Sequence, residues 1–76
     1  MTKMIENIVK GIVDAPDSVD VREMRGEQTL VIHVSVAKSD IGKVLGKKGS
    51  MAEALRTILR AIATKHQVRA ILEIES

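Results

Sequence analysis

Residues Ile41–Ser50 read "IGKVLGKKGS". Three glycines and three lysines fall within ten positions of a 76-residue chain that holds only five glycines. They stand between two apolar runs of different period. Before them, Leu30, Ile32, Val34 and Val36 alternate with Val31, His33 and Ser35, the period of two that turns one face of a strand toward a core. After them, Met51, Leu55, Ile58 and Ile62, widened by Ala54, Leu59 and Ala63, recur at helical spacing, with Glu53, Arg56, Thr57, Arg60 and Thr64 on the polar side. The stretch therefore reads as a short helix over residues 40–45, with Ser39 as its cap and Asp40 in its first turn, closed by Gly46. A bare corner follows, from which Ser50 caps a long helix over residues 51–65.

Working outward, Ile5, Ile8, Val9 and Ile12 carry the i, i+3, i+4, i+7 pattern of an amphipathic helix over residues 2–13. Pro16 drives the residue before it out of helical geometry, so Asp14–Ser18 reads as an exit loop. A strand over residues 18–25, a turn at Arg25-Gly26-Glu27 and a strand over residues 28–37 form a hairpin. Val68, Ala70, Leu72 and Ile74 share one face of a last strand over residues 67–75. The order is helix, strand, strand, helix, helix, strand, an α+β arrangement. A strand, two helices and a returning strand make a crossover, so the last strand is expected parallel to the second, which pairs antiparallel with the first. The expectation is one domain over residues 1–76, a three-stranded mixed sheet with three helices packed on one face.

Hydrophobic residues make up 45% and charged residues 29% of the chain, a globular balance. With no cysteine, a disulfide framework and a thiolate metal site are excluded. Lys3, Glu6, Lys10 and Asp14 interrupt the first apolar segment, unlike a secretory leader, and no apolar run approaches the ~20 residues of a membrane span. A soluble cytoplasmic protein is expected. The net charge is only +2, but Lys38–Arg69 holds eight basic residues against two acids while both flanks are acidic. Such segregation suits a polyanion on one face of the molecule.

The corner suits the same partner. Glycine permits positive φ and close approach, a helix start offers amides and a positive dipole end, and Lys47 and Lys48 add attraction to phosphates. Two glycines would equally serve a tight corner between helices. A mononucleotide loop fails, because G-x-x-x-x-G-K-[ST] counted from Gly42 meets Lys47, and from Gly46 meets Met51, where glycine is required. A dinucleotide fingerprint ending at Gly49 fails at Val44. His33 and His66, the two histidines, have no cysteine or paired carboxylate at ligand spacing, so no cofactor, metal or catalytic centre is expected. Arg56 and Arg60, one turn apart, would extend the basic track. The wide apolar arc of the long helix, from Ala61 through Ile58 and Leu55 to Ala63, would serve either as core or in part as a subunit seam.

The run Ile41-Gly42-Lys43-Val44-Leu45-Gly46-Lys47-Lys48-Gly49 resembles the I-G-x-x-[IL]-G-x-x-G signature of KH domains, whose GXXG loop clamps the backbone of about four nucleotides. The element order is like the type II, prokaryotic arrangement, and "SDIGKVLGKKGSMAEALRTILRA" is similar to the small bacterial single-KH proteins of the KhpA type. The resemblance implies a non-enzymatic module for single-stranded RNA, a small RNA chaperone or post-transcriptional regulator. It implies Gly46, Lys47, Lys48 and Gly49 as phosphate clamp, with phosphates expected on the amides of residues 46–50, Ser50 included. Gly42 would let a base lie on the short helix beside Lys43, and Ile41, Val44 and Leu45 would supply apolar wall, with Ile58, Ile71 and Leu72 as further groove members. It also implies a homodimer and a larger Jag-type KH partner linked to cell-envelope growth and cell shape. The family holds bases in an aliphatic groove, so the absence of Phe, Tyr and Trp removes stacking worth ~1–3 kcal/mol per base without removing the site. The alternatives are a KH-fold protein-interaction module with vestigial RNA binding, and single-stranded DNA binding.

Overall fold

The computed structural model describes residues 1–76. In chain order the elements are α1 (Thr2–Ile12), β1 (Asp20–Arg25), β2 (Thr29–Ser35), α2 (Ile41–Leu45), α3 (Ser50–Lys65) and β3 (Arg69–Glu75). Single 3-10 turns occupy Pro16–Ser18, Lys38–Asp40 and Lys47–Gly49. The expected order and element types are those observed, with the strand ends trimmed by one or two residues.

α1 turns Ile5 and Val9 inward and steadies its outer face with Glu6, whose carboxylate lies 3.0 Å from the Lys3 ammonium and 3.8 Å from that of Lys10. It ends where Val13 turns extended, three residues ahead of Pro16, which begins the following 3-10 turn where its missing N–H costs nothing. β1 pairs antiparallel with β2, Val21 opposite Val34 and Met24 opposite Val31. β3 pairs parallel with the other side of β2, Leu30 opposite Ala70 and Ile32 opposite Leu72. The strand order is thus β1-β2-β3, and β3 is an edge strand reached by the α2–α3 crossover.

β2 supplies the centre of the core through Leu30, Ile32 and Val34. Ile5 and Val9 of α1, Val44 of α2, Leu55 and Leu59 of α3 and Leu72 of β3 close over it. The other sheet face carries no helix; Val31, His33 and Ser35 are half-buried there, and Met24 and Ile71 are exposed.

Two local readings need correction. The buried line of α3 is Ala52, Leu55, Leu59 and Ala63: of the expected stripe Leu55, Leu59 and Ala63 are buried, Met51 and Ile62 are half-buried and Ile58 stays 43% exposed, while Ala52 takes a core place that was not expected of it. Apolar residues cover more than half of this helix, so periodicity alone could not choose the contact face. The serine caps are also absent: no side chain caps α2 or α3, and Ser50 is already the first helical residue. Asp40 serves α1 rather than the dipole of α2. Buried to 1% exposure, its carboxylate accepts hydrogen bonds from the Asp14 and Ala15 amides at 3.1 and 3.0 Å, pinning the exit loop of α1 to the start of α2.

Candidate nucleic-acid interface

The corner between α2 and α3 is built from three residues with positive φ. Gly46 ends α2 at φ 76°, ψ 178°, a region only glycine enters readily, while its N–H donates to the Gly42 carbonyl at 2.9 Å. Lys48 is left-handed at φ 56°, ψ 28°, and Gly49 follows at φ 78°, ψ 11°. The Gly49 N–H closes the turn on the Gly46 carbonyl at 3.1 Å, and the Ser50 N–H donates to the Lys47 carbonyl. The two glycines differ in what surrounds them. A Cβ at Gly46 would lie 2.6 Å from the amide nitrogen and Cβ of Met51, whereas a Cβ at Gly49 meets nothing within 4 Å.

This geometry puts two ammonium groups at an exposed tip. Neither Lys47 nor Lys48 enters an ion pair, and Lys48 holds its left-handed backbone without being glycine, the kind of strain that collects at working loops. Because the amides of Gly46, Gly49 and Ser50 already donate within the corner, attraction for an anion comes first from the lysine side chains and the helix start behind them.

The other expected site residues divide sharply. Gly42 is exposed, and a Cβ there would meet nothing within 4 Å, leaving a flat landing on α2. Leu45 is 38% exposed, but Val44 is fully buried in the core and Ile41 is half-buried against it. Lys43 is committed elsewhere: its ammonium bonds the Asp14 carboxylate and lies 3.9 Å from Asp40. The Asp14 bond, then the Asp14 charge, raises its pKa above the ordinary lysine value, so it stays a cation tied to the exit loop of α1.

Further along α3, from Arg56 to Thr64, a cleft of about 560 Å³ lies between α3 and β3. Leu59, Ala63, Ala70 and Leu72 give it apolar lining, and Arg56 and Arg60 of α3 and Arg69 of β3 are also among the residues that line it. Ile71 and Leu72 lie in this cleft, while Ile58 lies outside it. Arg69, Ala63 and Ala70 were not marked as site residues by the sequence. The signal available for Arg69 was its place at the start of the last strand, but only the parallel pairing of β3 shows that this strand is an edge facing α3.

Comparison with known proteins bears on this arrangement. The family model described as "KhpA/KhpB, KH domain" matches residues 2–74. A Clostridium acetobutylicum protein named RNA-binding protein KhpA is 45% identical over 74 residues, covering 97% of this chain and 99% of the relative. An Aquifex aeolicus protein of the same name is 48% identical over 71 residues, covering 93% and 90%. Among solved structures, Era in complex with MgGDPNP and nucleotides 1506–1542 of 16S ribosomal RNA superposes with a TM-score of 0.58 at 19% identity. That likeness covers 97% of this chain but 28% of the Era chain and concerns the fold.

Proposed function

The chain belongs to the KhpA/KhpB family of KH domains, and on that premise we propose that residues 1–76 act as one module for single-stranded RNA. The observation that carries the reading is the pair Lys47 and Lys48, exposed and free of ion pairs on a glycine-hinged corner at the start of α3, the helix that further along lines a cleft with apolar walls and basic side chains. Phosphodiesters meet the lysine tip and the start of α3. Bases lie over Gly42 and along the cleft, where aliphatic contact replaces stacking, so affinity is modest and sequence selectivity low. The role is binding rather than catalysis, consistent with an RNA chaperone or post-transcriptional regulator. RNA over DNA is the expected preference, tested by competition between matched oligomers.

Replacing Lys47 and Lys48 by Asp leaves the fold intact, because neither side chain supports another. It is expected to weaken RNA binding at physiological salt by at least tenfold in a polarisation assay. Each phosphate no longer neutralised also flattens the salt dependence by about 0.7 in log K against log salt. Unchanged affinity in the double variant refutes the clamp.

One flank of α3, with Ala54, Ile58 and Ala61 exposed, supports a homodimer or a contact with a larger KH protein of Jag type. Sedimentation across micromolar concentrations reads the first directly. The face lies apart from the cleft, so assembly and RNA binding are compatible.

A further inference from the structure

Glu53 stands at the first turn of α3 with its carboxylate shared between two arginines. Its Oε1 lies 3.0 Å from Arg60 Nη2 and its Oε2 3.7 Å from Arg56 Nη1. Both arginines line the α3–β3 cleft, and Arg69 lines it from the opposing strand. Resting on the proposal that the chain binds RNA, we propose that this arginine cluster is a second phosphate seat and that Glu53 is its built-in occupant, displaced when a strand long enough to reach it enters the cleft.

A guanidinium fork matches the two oxygens of a carboxylate and of a phosphodiester alike. The Glu53 carboxylate therefore shows that Arg56 and Arg60 converge on a single two-oxygen anion without rearrangement. Glu53 is the one acid in a stretch, Lys43–Arg69, that otherwise carries only basic charge. Glu53, whose carboxylate marks the seat, follows Gly49 by four residues, roughly 6 Å at the α-helical rise, so the seat lies about one helical turn beyond the lysine tip. The apolar lining of the cleft beside Arg56 and Arg60 suits bases, with the backbone left at the arginine side chains. At 60% exposure for Glu53 and 59% for Arg60, the internal pair is held weakly enough to exchange. A strand spanning about four nucleotides reaches both seats; a dinucleotide reaches one.

The test is polarisation with fluorescein-labelled oligouridylates of two, four and eight nucleotides, each over a salt series. The proteins are the wild type, Glu53→Gln, Arg56→Gln/Arg60→Gln, the triple combination and Lys47→Ala/Lys48→Ala. Glu53→Gln is expected to tighten the longer oligomers about two- to fivefold, the worth of one exposed ion pair, and to leave the dinucleotide unchanged. The arginine pair of substitutions weakens the longer oligomers, lowers the salt slope by about 0.7 for each phosphate left without its cation, and abolishes the gain from Glu53→Gln in the triple variant. If that gain persists without the arginines, Glu53 acts only through bulk charge and the seat is refuted. If Glu53 and arginine variants all match the wild type while the lysine variant loses affinity, the seat falls and the clamp stands. If only the lysine variant matches the wild type, the clamp falls and the seat stands. Circular dichroism confirms that each variant is folded.

Discussion

The two glycines of the corner should respond very differently to a single added methyl group. At Gly46, φ 76° and ψ 178° place alanine in a region that costs of order 3 kcal/mol, at the upper end for strained backbone. The new Cβ would also stand 2.6 Å from the Met51 amide nitrogen, a backbone atom at the start of α3 that cannot swing aside. Overpacking of this kind adds about 1–3 kcal/mol, and the stiffer unfolded chain returns ~0.4–1 kcal/mol. The net loss for Gly46→Ala is therefore about 3–5 kcal/mol, a large share of what a small domain has. At Gly49, φ 78° and ψ 11° lie in the left-handed region, where alanine costs ~1–2 kcal/mol, and no atom lies within 4 Å of the new Cβ. After the same unfolded-state offset the loss is about 1 kcal/mol, and Gly49→Asn, which tolerates this conformation, comes closer still to the wild type. At ~4–8 °C per kcal/mol for a domain of this size, thermal melts by circular dichroism should fall on the order of 15–30 °C for Gly46→Ala and on the order of 5 °C for Gly49→Ala. Equal losses at the two positions, or a Gly46→Ala variant as stable as Gly49→Ala, would refute the strain and clash argument.

Asp40→Ala removes the acceptor of two backbone amides at a site 1% exposed, each worth about 1–3 kcal/mol when left unsatisfied, so a loss of ~2–4 kcal/mol in chemical denaturation is expected, with Asp40→Asn intermediate. Wild-type stability in Asp40→Ala would show that the exit loop of α1 is not held by this carboxylate. On the open sheet face, the His33 Nε2 lies 2.7 Å from Glu75 Oε1 and its Nδ1 3.5 Å from Glu73 Oε1, and these hydrogen bonds, Glu75 first, raise its pKa above the ordinary 6.5. A raised value means stabilisation that is full below the unfolded pKa and fades as pH climbs through the folded one. Tm is therefore expected to be higher near pH 6 than near pH 8, with a smaller difference in His33→Gln; identical pH profiles for the two proteins would exclude His33 as the source.

The alternation of Leu30, Ile32, Val34 and Val36, the helical spacing in α1 and the glycine-lysine corner were legible as letters because each depends on neighbours within a few positions. Strand period, helix period and the need for bare backbone are local properties. Their order was enough to state a mixed sheet with a parallel crossover, and the corner was enough to place Gly46, Lys47, Lys48 and Gly49 at one exposed turn. Where local signals overlapped, the letters misled. α3 is apolar around most of its circumference, so its core face depended on where the sheet lay, and Ile58 went to solvent while Ala52 went to the core.

Only tertiary packing decided the remaining features, because they join residues distant in sequence. Asp40 and Lys43 look like a helix start and a nucleic-acid contact on the short helix until the exit loop of α1 folds back upon them, when both engage Asp14 or its neighbour. Arg69 belongs with Arg56 and Arg60 only once β3 docks beside β2 and leaves its free edge facing α3. Charge type and backbone freedom travel with the residue. What a charge faces is set by the fold, since the long-range pairings that fix it carry no short-range periodicity.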